Sequence, residues 1–142
     1  MRRIVVGSDG SPGGRLAVEW AAELAAQAGA EVILVHAFEP LAELEHATPP
    51  VDFHAIKELR VAEVRSEWCR PFAERGVLHR SSVIESDPVY ALRKICGEEG
   101  ADLVVIGSHG RSGWKEKIFG SVATTLLANL PCPVAIVPLR PD

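Results

Sequence analysis

Short apolar runs alternate with longer segments of helical periodicity along almost the whole chain. The runs at residues 4–6, 32–35, 103–106 and 134–137 have the length and β-branched content of buried strands. Residues 77–84 predict a further, less apolar strand, as is typical near a sheet edge. Strands that alternate with helices predict an α/β fold in which an open, mostly parallel sheet is covered by helices on both faces.

Three segments between these strands have the caps and spacing of helices. The first begins at Ser11-Pro12 and ends at Gly29, the second covers residues 55–75, and the third lies between Asp87 and Gly100. Their apolar positions are Leu16, Trp20, Leu24 and Ala28 in the first, Val61, Val64, Trp68 and Phe72 in the second, and Ala91, Leu92, Ile95 and Cys96 in the third. Prolines interrupt residues 39–54, which are therefore predicted to form a mobile loop.

Length and composition limit the kind of protein this is. A chain of 142 residues is expected to form a single domain, residues 1–142. The net charge of −4 and the scattered basic residues argue against nucleic acid as a partner. No apolar run approaches the roughly 20 residues needed to span a membrane, and no signal-peptide core follows Met1, so we expect a cytoplasmic protein. The three cysteines are far apart in sequence and lack the spacing of a metal site, so they are expected to be reduced, mostly buried thiols.

The segment 107–133, which follows a predicted central strand, has the residues of an anion site. Gly107, Gly110 and Gly113 permit positive φ and let main-chain N–H groups approach a ligand. Gly120-Ser121 then opens a second amphipathic segment. A helix that begins there would point its unpaired N–H groups and positive dipole end at the glycine loop, where phosphate is the usual ligand.

The spacing of these residues resembles the nucleotide-binding signature of the universal stress protein family. Gly107 is followed after two residues by Gly110, and after nine more by Gly120-Ser121. The opening Gly-Ser-His-Gly-Arg-Ser-Gly and the closing Pro-Cys-Pro-Val also resemble the family, and the likeness extends from Ile4 to Val137. The sequence alone leaves the strand order open. The resemblance implies the order 3-2-1-4-5, with a switch point between strands 1 and 4 where ligands bind.

The resemblance also implies which residues contact the nucleotide. Asp9 would face the ribose and phosphates from an exposed turn, although an aspartate there could instead satisfy turn N–H groups. The backbone of Ala37 would meet the adenine ring, Ile106 and Val122 would line the pocket, and Arg111 is a candidate phosphate contact. The complete predicted set is Gly7, Ser8, Asp9, Ala37, Ile106, Gly107, His109, Gly110, Arg111, Gly120, Ser121 and Val122.

The resemblance predicts a small ATP-binding stress protein that senses or buffers adenine nucleotide and passes that state to an unknown protein partner. We expect little or no hydrolysis, because no general base or metal-binding carboxylate pair is identifiable. Asp9 could hold Mg²⁺ through the phosphates. The resemblance and the apolar last strand also predict a homodimer through residues 133–138.

Two alternatives stay open at this point. One is an adenine-nucleotide hydrolase on a similar sheet, which would cleave between the α- and β-phosphates. The other is a nucleotide-free dimeric interaction module. The sequence does not distinguish ATP from AMP or cyclic AMP as the ligand.

Overall fold

The chain alternates strands and helices as its sequence pattern predicts. The computed structural model describes residues 1–43, 48, 50–108 and 128–139. The elements are β1 (Arg3–Gly7), α1 (Pro12–Ala28), β2 (Glu31–Phe38), α2 (Pro40–Glu43), α3 (Phe53–Glu63), a π-helical turn (Val64–Trp68), α4 (Arg70–Glu74), β3 (His79–Glu85), α5 (Pro88–Glu99), β4 (Leu103–Gly107) and β5 (Val134–Val137). The strands form one parallel sheet in the order β3-β2-β1-β4-β5, which confirms the expected class and strand order.

The central strands are buried on both faces. In β1, Ile4 and Val6 point into the core that contains α1, whereas Val5 points into the core that contains α5. Alternation of this kind follows from the two-residue repeat of a strand. The same division continues across β2 and β4, so that one face of the sheet packs on α1 and α4 and the other on α5.

Helix α1 packs on the sheet through its smallest residues. Its N-cap is Ser11, whose side chain accepts a hydrogen bond from Gly14 N, and it ends at Gly29 with a φ of 68°. The buried residues are Gly13, Gly14, Ala17, Val18, Ala21, Ala22 and Ala25. The predicted apolar stripe was therefore wrong at Trp20, which is 41% exposed, whereas Leu24 on the same stripe packs partly against this core. The small residues let the helix axis approach the strands more closely than a row of large side chains would.

The region between β2 and β3 is more helical than predicted. The expected loop at residues 39–54 contains α2, and α3 begins at Phe53. The predicted helix at 55–75 is present but interrupted at Cys69. Pro71 explains the interruption, because it has no N–H to donate to the residue four positions back and its ring would clash with that carbonyl. Val64 and Phe72 are buried as predicted.

Helix α5 and the two edge strands agree with the sequence prediction. Helix α5 is capped by Asp87, whose Oδ1 accepts from Tyr90 N at 3.0 Å, and ends at Gly100. Its predicted inward residues are buried. Strands β3 and β5 form the two edges of the sheet. Within the part of the chain that is described, every helix is too short or too polar to cross a bilayer.

Replacing Ala21 by leucine should destabilise the protein, because Ala21 is 0% exposed in the core beneath α1. Overpacking of this kind costs about 1–3 kcal/mol of unfolding free energy, which urea denaturation measures. Ala26 is exposed on the same helix and provides a matched control. Ala26→Leu should change stability by less than about 0.5 kcal/mol. Equal losses in the two variants would contradict close packing of α1.

Candidate functional site

The strand order creates a crevice at the carboxyl ends of β1 and β4. In the order β3-β2-β1-β4-β5, the chain leaves β1 toward β2 on one side of this point and leaves β4 toward β5 on the other side. Connections therefore leave neighbouring strands in opposite directions, which is the arrangement at which open α/β sheets bind ligands. The predicted residues Gly7, Ser8, Asp9 and Gly107 all lie at this edge.

The loop between β1 and α1 is held by its own side chains. Ser8 Oγ accepts from Gly10 N at 3.2 Å, Asp9 Oδ1 accepts from Ser11 N at 3.0 Å, and Ser11 Oγ accepts from Gly14 N at 3.2 Å. Short polar side chains commonly satisfy backbone donors in this way before a helix. These N–H groups at the start of α1 thus already have acceptors within the chain.

Asp9 is buried, so the expectation of an exposed turn was wrong. Its exposed fraction is 5%, and that of Ser8 is 2%. The alternative role, satisfaction of a turn N–H, describes what Oδ1 does in this structure. Ligand contact by Asp9 stays a prediction, and it would have to coexist with this structural hydrogen bond.

Gly107 is needed for close approach, and not for the positive φ that the sequence suggested. A Cβ at Gly107 would lie 2.5 Å from Gly13 O and 2.8 Å from Gly13 C. A Cβ at Gly7 would lie 3.0 Å from a methyl group of Leu92. The backbone at the end of β4 therefore touches the first turn of α1, which fixes the width of the crevice at this point.

Gly10 does have the left-handed conformation, with a φ of 78°. A Cβ there would lie 2.5 Å from the ring of Trp68. Trp68 also packs edge-on against His36, with ring centroids 4.9 Å apart. The indole thus covers the β1–α1 loop. Sequence periodicity placed Trp68 on a helix face but could not identify this distant partner.

The imidazole of His36, on β2, is neutral and connects the loop after β1 to α3 through two hydrogen bonds. Its Nδ1 lies 2.9 Å from Ser8 O and its Nε2 lies 3.1 Å from Arg60 Nη1. A carbonyl oxygen only accepts and a guanidinium only donates, so Nδ1 carries the proton and Nε2 is an acceptor. Arg60 also pairs with Glu43 at 3.0 Å. Both ring nitrogens are thus engaged in structural hydrogen bonds.

The end of β2 borders the crevice. Its pairing with β1 stops at Val35, whereas its pairing with β3 continues to Phe38. The intervening backbone around Ala37 therefore extends beyond the end of β1. This places the predicted adenine-contacting backbone at the crevice, although the side chain of Ala37 is only 7% exposed. Ile106 is 0% exposed in the core beneath α5, so its side chain has a packing role here.

Ser108 connects β4 to β5. Its N–H donates to Val137 O at 2.8 Å, and its Oγ accepts from Leu139 N at 3.1 Å. The sequence interpretation did not single out this serine, because its partners depend on strand pairing. The remaining predicted site residues, His109, Gly110, Arg111, Gly120, Ser121 and Val122, lie outside the described residues.

A cavity of about 700 Å³ lies at the opposite, amino end of the sheet. Several of its charged groups form ion pairs or hydrogen bonds with the backbone. Arg3 pairs with Glu31, and Asp102 Oδ2 accepts from the N–H groups of Arg2 and Arg3 at 2.7 and 3.0 Å. These two backbone donors lower the pKa of Asp102. Because ligands in such sheets bind at the carboxyl ends of strands, this cavity is not the candidate site.

Known proteins resemble the chain along its whole length. The universal stress protein Rv2005c of Mycobacterium tuberculosis is 35% identical over 136 residues, which cover 94% of this chain and 44% of that protein. The chain thus spans less than half the length of the curated relatives that match it in this way. The universal stress protein YxiE of Bacillus subtilis is 29% identical, and the match covers 95% of this chain and 97% of that protein.

A solved structure and a family sequence model show the same similarity. A crystal structure of a universal stress protein in complex with cAMP superposes with a TM-score of 0.71 at 26% identity, covering 98% of each chain. The sequence model of the universal stress protein family matches residues 1–138. The chain therefore belongs to the universal stress protein family.

Proposed function

We propose that the protein binds adenine nucleotide in the crevice between β1 and β4 and acts as a cytoplasmic, nucleotide-dependent sensor or regulator in a stress response. The observation that carries this proposal is the strand order. The chain leaves β1 and β4 toward opposite edges of the sheet, which opens a crevice between the carboxyl ends of these two strands. The relative that was crystallised with cAMP has the same fold and supports an adenine ligand.

The adenine ring would be read by the backbone at the end of β2. Main-chain groups around Ala37 extend beyond β1 and lie beside the buried β1–α1 loop. Backbone donors and acceptors have fixed positions in a sheet, so they can distinguish the hydrogen-bonding edges of adenine and guanine. Selectivity would then depend little on the side chain at position 37.

The phosphates would be held by the segment after β4. In the β1–α1 loop, the N–H groups of Gly10, Ser11 and Gly14 already donate to side chains. Ser108 N donates to β5. Because these four N–H groups are already engaged, the glycine-rich sequence at 109–121 would supply the main donors to the phosphate oxygens. Mg²⁺ would be held mainly by the phosphates, with Asp9 as the carboxylate of the neighbouring loop.

Hydrolysis would be slow or absent. A general base must reach the attacking water with an acceptor atom. In the described part of the site, His36 uses both nitrogens within the protein, and Asp9 Oδ1 accepts from Ser11 N. These groups serve the structure of the crevice. Release of phosphate or pyrophosphate at steady state would instead favour the hydrolase alternative.

Adenine nucleotides should stabilise the protein against heat, and GTP should not. A ligand that binds only the native state adds about 2.7 kcal/mol at 100 times its Kd. For a domain of this size, that raises the melting temperature by several degrees. Thermal denaturation with ATP, cyclic AMP and GTP at equal concentrations measures the effect. Equal shifts with ATP and GTP would contradict adenine recognition, and no shift with any of them would favour the interaction-module alternative.

Two substitutions at Asp9 should separate its structural and ligand-binding roles. Asp9→Ala removes the acceptor for a buried N–H, so the ligand-free protein should lose about 1–3 kcal/mol of unfolding free energy. Asp9→Asn keeps an oxygen in that position and should retain most of the stability. Both variants should bind ATP more weakly by calorimetry. Wild-type affinity in Asp9→Asn would show that the carboxylate charge has no role in binding.

The edge strand β5 would join two copies of the chain. It is an apolar strand paired only with β4 among the described strands, and Ile136 within it is 48% exposed. Unpaired apolar edges are liabilities that symmetric self-pairing removes. We therefore propose a homodimer through residues 133–138. Its nucleotide-dependent protein partner is a separate molecule of unknown kind.

Ile136→Lys should convert the dimer to a monomer, because it places a charge in the proposed interface without entering the core. Leu59→Lys is a matched control, since Leu59 is 72% exposed on α3, which packs near the opposite edge at β3. Sedimentation equilibrium at micromolar concentration should show a dimer for the wild type and for this control. A monomeric wild type would rule out the β5 interface.

A further inference from the structure

Two cysteines that are distant in sequence meet in the fold. Cys96 lies on α5, and Cys132 lies two residues before β5. Their sulfur atoms are 2.9 Å apart. Sequence spacing could not predict this contact, because it depends on how α5 packs against the segment before β5. The third cysteine, Cys69, lies in the core on the other face of the sheet.

We propose that Cys96 and Cys132 are an oxidation site that closes to a reversible disulfide when the protein meets a hydroperoxide. The two sulfurs are free thiols in the structure and are within about 1 Å of bonding distance, since a disulfide measures about 2.05 Å. Little movement of α5 or of the segment before β5 is needed to form the bond. This proposal does not depend on nucleotide binding.

The surroundings of the two sulfurs assign them different roles. Cys96 is 0% exposed, and burial raises its pKa to about 12, with the hydrogen bond to Cys132 as a smaller cause. It is therefore a thiol at neutral pH. Cys132 is only half-buried and packs at the margin of the same core. Because peroxides react with accessible thiolates, Cys132 is the sulfur that meets the oxidant and Cys96 is the one that resolves it.

The reaction proceeds in two balanced steps. The Cys132 thiolate attacks the peroxide, so that an S–O bond forms, the O–O bond breaks, and an alcohol or water leaves after taking a proton from solvent. Cys96 then attacks the sulfenic sulfur, the S–S bond forms, the S–O bond breaks, and water leaves with the Cys96 proton. Two thiols are oxidised by two electrons, and one hydroperoxide is reduced.

The disulfide would tie α5 to the segment that enters β5. The loop that it closes contains β4 and the predicted phosphate-binding sequence. Cross-links of this length restrict the unfolded chain and so stabilise the native state. Oxidation should therefore leave a signature in thermal stability as well as in thiol content.

Exposure of the reduced protein to hydrogen peroxide tests the proposal. After the remaining thiols are blocked with N-ethylmaleimide, mass spectrometry should find a peptide that links Cys96 to Cys132 within one chain, with Cys69 alkylated. Dithiothreitol should reverse the link. The oxidised protein should melt several degrees higher than the reduced protein. Retention of all three thiols, or a link that forms only between chains, would overturn the proposal.

Two variants test the order of the steps. In Cys96→Ala, Cys132 should stop at the sulfenic acid, which dimedone traps. In Cys132→Ser, Cys96 should remain a thiol under the same peroxide treatment. Rapid oxidation of Cys96 in this variant would overturn the assigned roles. Because Cys96 is fully buried and its substitution can affect folding, the measurements on the wild type and on Cys132→Ser decide the question by themselves.

Discussion

The architecture depends on burial of β1 from every direction. Ile4, Val5 and Val6 are each 0% exposed, with strands on both edges and helices on both faces. A strand without a polar face requires two helical layers, and two layers require connections that pass to opposite sides of the sheet. The crevice at the carboxyl ends of β1 and β4 is thus a consequence of how an apolar strand is covered.

Close backbone packing then determines what this crevice can do. Gly107 touches Gly13, and the small residues of α1 let that helix lie near the strands. Such close contact leaves room only for short side chains in the β1–α1 loop. The side chains of Ser8, Asp9 and Ser11 accept hydrogen bonds from backbone N–H groups of the same loop and of the first turn of α1. On the β1 side of the crevice, the N–H groups of Ser8, Gly10, Ser11 and Gly14 are thus hydrogen-bonded within the protein. In the proposed function, recognition of a nucleotide would therefore depend mainly on the end of β2 and on the sequence after β4.

The sequence predicted what is local. Strand positions followed from β-branched runs, and helix limits followed from Ser11, Asp87 and the terminal glycines, because caps act within a few residues. Contacts between distant residues were not predictable from one sequence. The indole over Gly10 and the Cys96–Cys132 pair depend on how elements pack. Burial of Asp9 was also missed, because the exposure of a loop residue depends on the packing around it.

The polar network around His36 shows how the site could communicate with the rest of the protein. His36 receives a hydrogen bond from Arg60 and donates one to Ser8 O, so it connects α3 to the loop after β1. Arg60 is itself paired with Glu43 on α2. Buried networks of this kind are stable only when every member keeps its partner. A ligand that displaced the end of β2 would therefore disturb α2 and α3 as well, which gives a physical route from an occupied crevice to the protein surface.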